Sequence, residues 1–340
     1  MTIKDVAKRA GVGIATVSRT LHNSPRLKPE TAARVRKAIE ELGYRPNLNA
    51  QSLVSGRSRM LGLVVSDITN PFFPELIKGF EEVALQNGYD VFVASTNYDP
   101  SRTALSVRRM IERKIDGVAI ITSEVDPSLT DSFAGRKVPL VFLDVGKIGR
   151  DVSNVKVDYA HGIAQAVQHL RSLGHSRIGF ISGPLHLESV RERRDAFLAN
   201  LGGAPAGAGA EAMLEEGDHK VDGGRAAMLR LLGRTPRPTA VVASNDLTAI
   251  GALRAIRQRG LRVPEDISVV GFDDIQMAEF TEPPLTTVRL LRTEVACAAC
   301  DALLQLIRTP GPGAELRVGT SLVIRASTGI ACHDPDAASN

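Results

Sequence analysis

The sequence predicts a small all-α helix-turn-helix head followed by an α/β body made of two doubly wound parallel-sheet lobes. Two observations support this fold class. The first part of the chain shows short amphipathic helical patterns joined by a glycine-rich turn. From Met60 onward, continuous apolar runs of strand length alternate with helical patterns, which is typical of parallel α/β structure. The segment 60–330 is long enough for two such lobes.

Charge is distributed unevenly along the 340 residues. Residues 1–60 contain twelve Lys and Arg against four Asp and Glu, a net charge of +8; because the whole chain carries +4, the remainder carries −4. A basic head on a mildly acidic body is typical of a polyanion-binding module joined to another domain. Charge alone leaves a second interpretation open, namely a solvated basic surface.

Composition also indicates the compartment. No apolar run approaches the roughly 20 residues that span a bilayer, and the start TIKD at residues 2–5 lacks the apolar region of a signal peptide. Three cysteines suit a reducing compartment, and Cys297 and Cys300 have no second cysteine pair that would complete a metal site. We therefore expect a cytoplasmic protein with no membrane association, no metal and no cofactor.

The stretch GVGIATVS at residues 11–18 could be a phosphate-binding loop or a turn between two helices. A dinucleotide-binding fingerprint needs a strand before its glycines and a third glycine after them. Helical spacing precedes Gly11 instead, and Thr16 occupies the place of the third glycine. The stretch is therefore predicted to be the turn of a helix-turn-helix unit, which lays its second helix in the major groove of DNA.

The helices of the head have recognisable boundaries. Thr2 and Asp5 resemble a capping box that starts a helix ending at Ala10. The second helix is predicted over 14–21, and Pro29 suits the first position of a third helix that stops at Gly43.

The head closely resembles that of lactose-repressor (LacI) family transcription regulators. The runs DVAKRAGVGIATVSRTL and ETAARVRKAIEELGYRPNLNAQSL carry the resemblance, which is almost continuous over residues 2–58. Gly13 and Lys28 stand where the family usually has serine caps, so we expect weaker caps on helices 2 and 3. For Ile14, packing within the head remains an alternative to DNA contact. The resemblance implies base-edge contacts from Ile14, Ala15 and Arg19, and phosphate contacts from Thr16, Ser18 and Thr31.

The segment 46–59 resembles the hinge helix and linker of the family through the spacing P-N-x-x-A-x-x-L. A helix this short is marginal in isolation, so we expect it to form when two copies pack on DNA. The resemblance implies contacts from Asn47, Ala50 and Leu53, with Leu53 as a wedge in the minor groove. The alternative is that Leu53 covers the surface of the body.

The apolar runs of the body predict strands at 61–65, 91–95, 117–121, 140–144, 178–182, 240–244 and 268–272. The motifs SDITNPFF, SNDLTAIGAL, VPEDISVVGFDDI, PPLTTVR and IRASTG continue the resemblance. They imply a periplasmic-binding-protein-like effector-binding and dimerisation domain over 60–330. Its first lobe is expected at about 60–160 and 291–320 and its second at about 161–290 and 321–330, followed by a disordered tail at 331–340.

The same resemblance implies an effector cleft between the lobes. Carboxylates, an amide and a guanidinium can bind neighbouring hydroxyls, and aromatic rings can cover the apolar face of a sugar. Leu187 stands where the purine-binding branch has an arginine, which favours a sugar or sugar derivative over a nucleobase. Strand-end capping remains an alternative for Asp144 and Asp273, and an ordinary surface position for Arg193. The implied cleft residues are Phe72, Phe73, Asp144, Ser189, Arg193, His219, Asn245 and Asp273.

The sequence thus predicts a sequence-specific DNA-binding transcriptional regulator, most often a repressor in this family. We expect a homodimer on a pseudo-palindromic operator, controlled by a small-molecule effector. One alternative is a soluble periplasmic-binding-protein-like ligand receptor without DNA activity. Another is an α/β enzyme acting on a sugar phosphate. The chain shows neither a P-loop nor a nucleophile elbow, and we expect no enzymatic activity.

Overall fold

A computed structural model describes the chain over residues 1–21, 27–44, 56–122, 125, 138–144, 147–201 and 213–332. Contacts between residues divide the chain into two units, Met1–Arg59 and Met60–Asn340. Most of the predicted hinge and most of the predicted tail lie outside the described residues. Among the described helices, none has both the length and the apolar character needed to cross a bilayer.

The head unit contains the three predicted helices, α1 (Ile3–Ala10), α2 (Ile14–Leu21) and α3 (Pro29–Leu42). Its small core contains Val6, Val17 and Val35, which are fully buried. The backbone N–H of Thr2 donates to Oδ2 of Asp5 at 2.8 Å, as expected for the predicted capping box. The head therefore folds as the helix-turn-helix unit that the sequence predicts.

The body unit contains two six-stranded sheets, each with helices packed against it. The first sheet has the order β11-β5-β4-β3-β1-β2, and all its neighbouring strands are parallel. Its strands are β1 (Met60–Val65), β2 (Asp90–Ser95), β3 (Gly117–Ile121), β4 (Leu140–Leu143), β5 (Val152–Val157) and β11 (Glu315–Val318). Helices α4 (Phe72–Gln86), α5 (Pro100–Glu112) and α10 (Arg292–Arg308) pack against it, and together they form the first lobe.

The second sheet has the order β12-β10-β9-β8-β6-β7, in which only the β10–β12 pair is antiparallel. Its strands are β6 (Ile178–Ser182), β7 (Leu214–Glu216), β8 (Ala240–Ala243), β9 (Ser268–Asp273), β10 (Thr286–Leu290) and β12 (Thr320–Val323). With α6 (Tyr159–Ser172), α7 (Glu188–Asn200), α8 (Val221–Leu232), α9 (Asp246–Gln258) and the 3₁₀ helix Gln276–Phe280 it forms the second lobe. The predicted fold class is thereby confirmed.

The chain crosses between the two lobes three times, after β5, between β10 and α10, and between β11 and β12. Gly162, in the first turn of α6, shows how tightly these segments pack. A Cβ at this position would lie 2.4 Å from Cγ1 of Val288 and 2.6 Å from Oγ1 of Thr320. Only glycine therefore fits where the crossing segments meet.

Candidate functional site

The turn before α2 contains two glycines, and neither α2 nor α3 has a side-chain cap at its start. Gly11 has φ of 63°, a left-handed conformation that glycine adopts without steric cost. Gly13 has no side chain to cap α2, and its carbonyl accepts from the N–H of Thr16 at 2.9 Å. The Lys28 side chain makes no capping hydrogen bond to α3. Both caps thus lack the side-chain bond that a serine could supply.

The predicted DNA-contacting residues of α2 lie on its outer face. Val17 is fully buried in the head core, whereas Ile14 is 45% exposed and lies outside that core. Ala15 and Arg19 are also exposed, and Thr16, Ser18 and, on α3, Thr31 are half-buried. The structure therefore does not support packing of Ile14 within the head. Asn47, Ala50 and Leu53 lie outside the described residues.

A cavity of about 80 Å³ lies between the two lobes, at the carboxyl ends of strands from both sheets. This is where open α/β sheets bind ligands. Seven of the eight predicted cleft residues line it: Phe72, Phe73, Ser189, Arg193, His219, Asn245 and Asp273.

Arg193 is the only cation that lines the cavity among the described residues. It is 6% exposed, and its guanidinium carbon lies 4.2 Å from the ring centroid of Tyr159 and 4.7 Å from that of Phe272. Its Nε is buried and has no hydrogen-bond partner among the described residues. Burial against two aromatic rings does not fit an ordinary surface arginine, and a buried donor without a partner points to a functional role.

Asp273 ends β9 with φ of 105°, in the left-handed half of the backbone map that non-glycine residues rarely adopt. Burial raises the pKa of its carboxyl group to about 7, although Arg193 and Arg292 act to lower it. The group therefore changes its charge near neutral pH.

His219 occupies the cleft as a neutral imidazole. Burial, with the nearby Arg193 charge, lowers the pKa of His219 to about 3. Its ring Nε2 is enclosed and has no partner among the described residues. A Cβ at Gly183 would lie 2.0 Å from this atom, so the ring fits only because position 183 is glycine. The Asn245 amide donates to the backbone carbonyl of His219 at 3.1 Å and caps α9 by accepting from Thr248.

Asp144 does not line the cavity, which corrects its predicted placement. It follows β4 with φ of 66° and is buried. Its Oδ1 accepts from the N–H of Val157 at 3.0 Å, and its Oδ2 accepts from the hydroxyl of Tyr159 at 2.6 Å. This bonding corresponds to strand-end capping, the alternative left open by the sequence, because the carboxylate satisfies backbone and side-chain donors behind the cleft wall.

The sequence did not predict the serine and threonine hydroxyls that line the cavity in the first lobe. Ser66 and Thr122 follow directly after β1 and β3, and their hydroxyl oxygens are 2.8 Å apart. Their positions after apolar strands were the available signal. The aromatic pair Phe72 and Phe73 also lies in this lobe, with ring centroids 5.2 Å apart and an interplanar angle of 86°. The cavity lining not predicted as ligand-binding comprises Ser66, Asn70, Tyr98, Ile121, Thr122, Leu143, Tyr159, Leu187 and Leu290.

Polar contacts join the lobes around the cavity. The Lys156 ammonium on β5 contacts the Glu192 carboxylate on α7. At the cleft, the Lys220 ammonium lies 5.6 Å from the ring centroid of Tyr98. Side chains of the two lobes therefore contact each other at two separate places.

A helix-turn-helix unit joined to a two-lobed α/β body with a cleft defines the class of ligand-responsive DNA-binding regulators. Residues 2–47 match the family of bacterial regulatory proteins called the lacI family, and residues 167–328 match the periplasmic binding protein-like domain. With the full-length relatives below, these matches show that the chain belongs to the LacI family of DNA-binding transcriptional regulators.

Named relatives match nearly the whole chain. The HTH-type transcriptional repressor PurR of Mannheimia succiniciproducens is 33% identical over 328 residues, covering 96% of this chain and 98% of the relative. The ribose operon repressor of Escherichia coli is 34% identical, covering 91% and 94%. The HTH-type transcriptional regulator DegA of Bacillus subtilis is 35% identical, covering 84% and 86%.

Solved structures of similar proteins show the same architecture. A Lac repressor dimer bound to operator and the anti-inducer ONPF superimposes with a TM-score of 0.86 at 30% identity, covering 97% of this chain and 99% of that chain. A complex of the transcriptional regulator CelR with cellobiose gives 0.72 at 32% identity, covering 96% and 99%. A LacI family regulator from Enterococcus faecium with bound ribose gives 0.71 at 28% identity, covering 80% and 100%.

Proposed function

We propose that this chain is a homodimeric repressor that binds a pseudo-palindromic operator and whose operator affinity is set by a small molecule in the cleft. The observation that carries the proposal is the coexistence of exposed Ile14, Ala15 and Arg19 on a basic head with a cleft that contains a buried arginine. The Nε of this arginine, Arg193, has no hydrogen-bond partner among the described residues. Two-fold symmetry of the protein matches that of a palindromic site. The Lac repressor dimer on its operator provides a structural precedent.

Within this proposal the exposed face of α2 reads the operator. Arg19 donates to a guanine, while Ile14 and Ala15 contact thymine methyl groups. The hydroxyls of Thr16, Ser18 and Thr31 bind phosphates and fix the register. The hinge residues Asn47, Ala50 and Leu53 act in the minor groove. The domains assigned to these roles are 1–45 for the head, 46–59 for the hinge, 60–330 for the effector and dimer body, and 331–340 for the tail.

We propose a sugar or sugar derivative as the effector. An arginine, an amide and a carboxylate from the second lobe face hydroxyls of the first, which suits a ligand with hydroxyls around its ring. Phe72 and Phe73 supply apolar cover, and Leu187 lines the cleft where a purine site would need a donor. The relatives include the repressor PurR and a ribose operon repressor, and the chemistry of the cleft lining supports a sugar-like effector for this chain. A cytoplasmic location without enzymatic activity, metal or cofactor completes the proposal.

The DNA activity is tested by selecting fragments of the host genome with the purified full-length protein at low ionic strength. Recovery of a shared inverted repeat supports the proposal, and the absence of any bound fragment contradicts it in favour of a ligand receptor without DNA activity. Turnover of a cleft ligand would instead favour an enzyme.

The effector class is tested by thermal shift with a panel of monosaccharides and nucleosides. Sugars that raise the melting temperature should fail to do so for Arg193→Ala. Arg194→Ala is the matched control, because the Arg194 side chain pairs with Asp195 and does not line the cavity. Stabilisation by nucleosides alone would contradict the sugar assignment.

A further inference from the structure

Arg292 is the first residue of α10 and follows the second crossing between the lobes. It is 8% exposed, and all three guanidinium nitrogens are used. Nε and Nη2 donate to Oε2 of Glu75 on α4 at 2.8 and 2.5 Å, and Nη1 donates to the backbone carbonyl of Asp273 at 2.6 Å. One buried cation thus joins a helix of the first lobe to a strand end of the second.

Both ends of this connection adjoin the cleft. Glu75 lies in the first turn of α4, whose opening residues Phe72 and Phe73 line the cavity. Asp273 lines the cavity from the opposite lobe with its rare positive φ. A non-glycine residue keeps such a conformation only where its surroundings hold it, and a charge-assisted bond to its own carbonyl does so directly.

We propose that Arg292 is a positioning residue of the cleft, which fixes the Asp273 peptide and ties it to α4. Movement of Asp273 by a bound molecule is then transmitted to α4 through a single guanidinium, and movement of α4 is transmitted back to Asp273. The cleft's role as an effector site rests on the proposed function above. The connection between the lobes does not depend on that role, since it consists of the Arg292 hydrogen bonds to Glu75 and Asp273 alone.

Hydrogen exchange of the full-length, ligand-free protein tests the connection. In Arg292→Met, we expect faster exchange both in the first two turns of α4 and at the N–H of Ile275, which donates to Asp246 at 2.8 Å just beyond Asp273. Loss of a hydrogen bond to a charged group corresponds to about tenfold or more in local opening. A merely local structural role for Arg292 would not change both lobes together.

Arg289→Met is the matched control. Arg289 donates to Oδ2 of Asp274 at 2.6 Å within the second lobe, so its loss should affect residues near Asp274 and leave α4 unchanged. Glu75→Gln keeps an acceptor and should give a smaller effect than Arg292→Met at the same two places.

An unchanged α4 in folded Arg292→Met, or an equal change of α4 in Arg289→Met, overturns the inference. Should Arg292→Met fail to fold, Arg292→Lys takes its place, because it keeps the charge but cannot bridge both partners. A positive exchange result combined with no effector in the thermal-shift panel would reject the proposed effector role and leave the inference standing.

Discussion

The Tyr159 hydroxyl donates to Asp144 at 2.6 Å, while the ring of the same tyrosine lies against the Arg193 guanidinium in the cleft. Asp144 thus acts on the cavity through Tyr159 rather than by facing it. The Arg193 guanidinium packs against the rings of Tyr159 and Phe272, and the Tyr159 hydroxyl is held by a carboxylate that does not line the cavity. Changes behind the wall should therefore alter the cleft itself.

Removing this hydrogen bond should destabilise the body. Tyr159→Phe leaves the buried Asp144 carboxyl group without its hydroxyl donor, and we expect a loss of about 1–3 kcal/mol in the free energy of unfolding. Urea denaturation measures it. In a double-mutant cycle with Asp144→Asn the two losses should not add, since the residues share one bond. Full additivity would show that the pair is not coupled.

Asp273 and His219 should give opposite pH dependences of stability. The Asp273 pKa rises from 3.8 to about 7 on folding, so between these values only the folded state holds the proton and stability falls as pH rises. The His219 pKa falls from 6.5 to about 3, so between these values only the unfolded state holds the proton and stability falls as pH decreases. The two contributions oppose each other over most of the acidic range.

Single variants should separate these contributions. Relative to the unmodified protein, Asp273→Asn should gain stability as pH rises from about 4 to about 7, whereas His219→Gln should gain stability as pH falls over a similar window. Denaturant unfolding at a series of pH values measures both. Parallel curves for the two variants would contradict the assigned directions.

Arg19→Ala should relax operator specificity at one base pair and cost about 1–3 kcal/mol of binding free energy. Arg34, exposed on α3, provides the comparison. Its replacement by alanine should weaken binding to all operator variants equally and reduce the salt dependence by about one unit of slope. Fluorescence anisotropy with single-base operator variants measures both effects. A uniform loss for Arg19→Ala would remove its assigned role in base reading.

Two glycines set the distance between α8 and α9. A Cβ at Gly224 would lie 2.3 Å from the Thr248 carbonyl oxygen, and one at Gly251 would lie 2.1 Å from that of Val221. Alanine at either position should cost about 1–3 kcal/mol or more, because the close atoms are backbone. The two helices begin next to His219 and Asn245, so ligand binding in the cleft should weaken as well. Gly149→Ala, with open space around its Cβ, should have little effect in thermal unfolding.

The seven predicted strands are all present, with boundaries that differ by one residue at most. Six of them are buried along nearly their whole length, which requires a continuous apolar run, whereas β2 is an apolar run at a partly exposed sheet edge. The strands that escaped prediction lack this pattern. β5 (Val152–Val157) and β10 (Thr286–Leu290) mix apolar with polar residues, and β7 (Leu214–Glu216) has only three residues. β11 (Glu315–Val318) and β12 (Thr320–Val323) are short, partly exposed edges. Their place in the sheets comes from tertiary pairing.

The candidate site was predictable to a similar extent. Charged and aromatic residues such as Arg193 and Phe73 line the cleft, as the resemblance to the LacI family implied. The position of Asp144 could not be predicted correctly, because the sequence does not show that the Tyr159 hydroxyl and the Val157 N–H donate hydrogen bonds to its carboxylate. Ser66 and Thr122 carry small hydroxyls that are common in any sequence, and only the meeting of two strand ends gives them a role.

The late position of β11 and β12 in the chain has a consequence for biosynthesis. Each completes one edge of a different sheet, next to β5 and β10. A chain emerging from the ribosome must therefore be synthesised beyond Val323 before both sheets have all their strands. Until then both edges present unpaired backbone groups that can pair with other chains. Premature termination before Glu315 should thus yield an aggregation-prone product in which both lobes are incomplete.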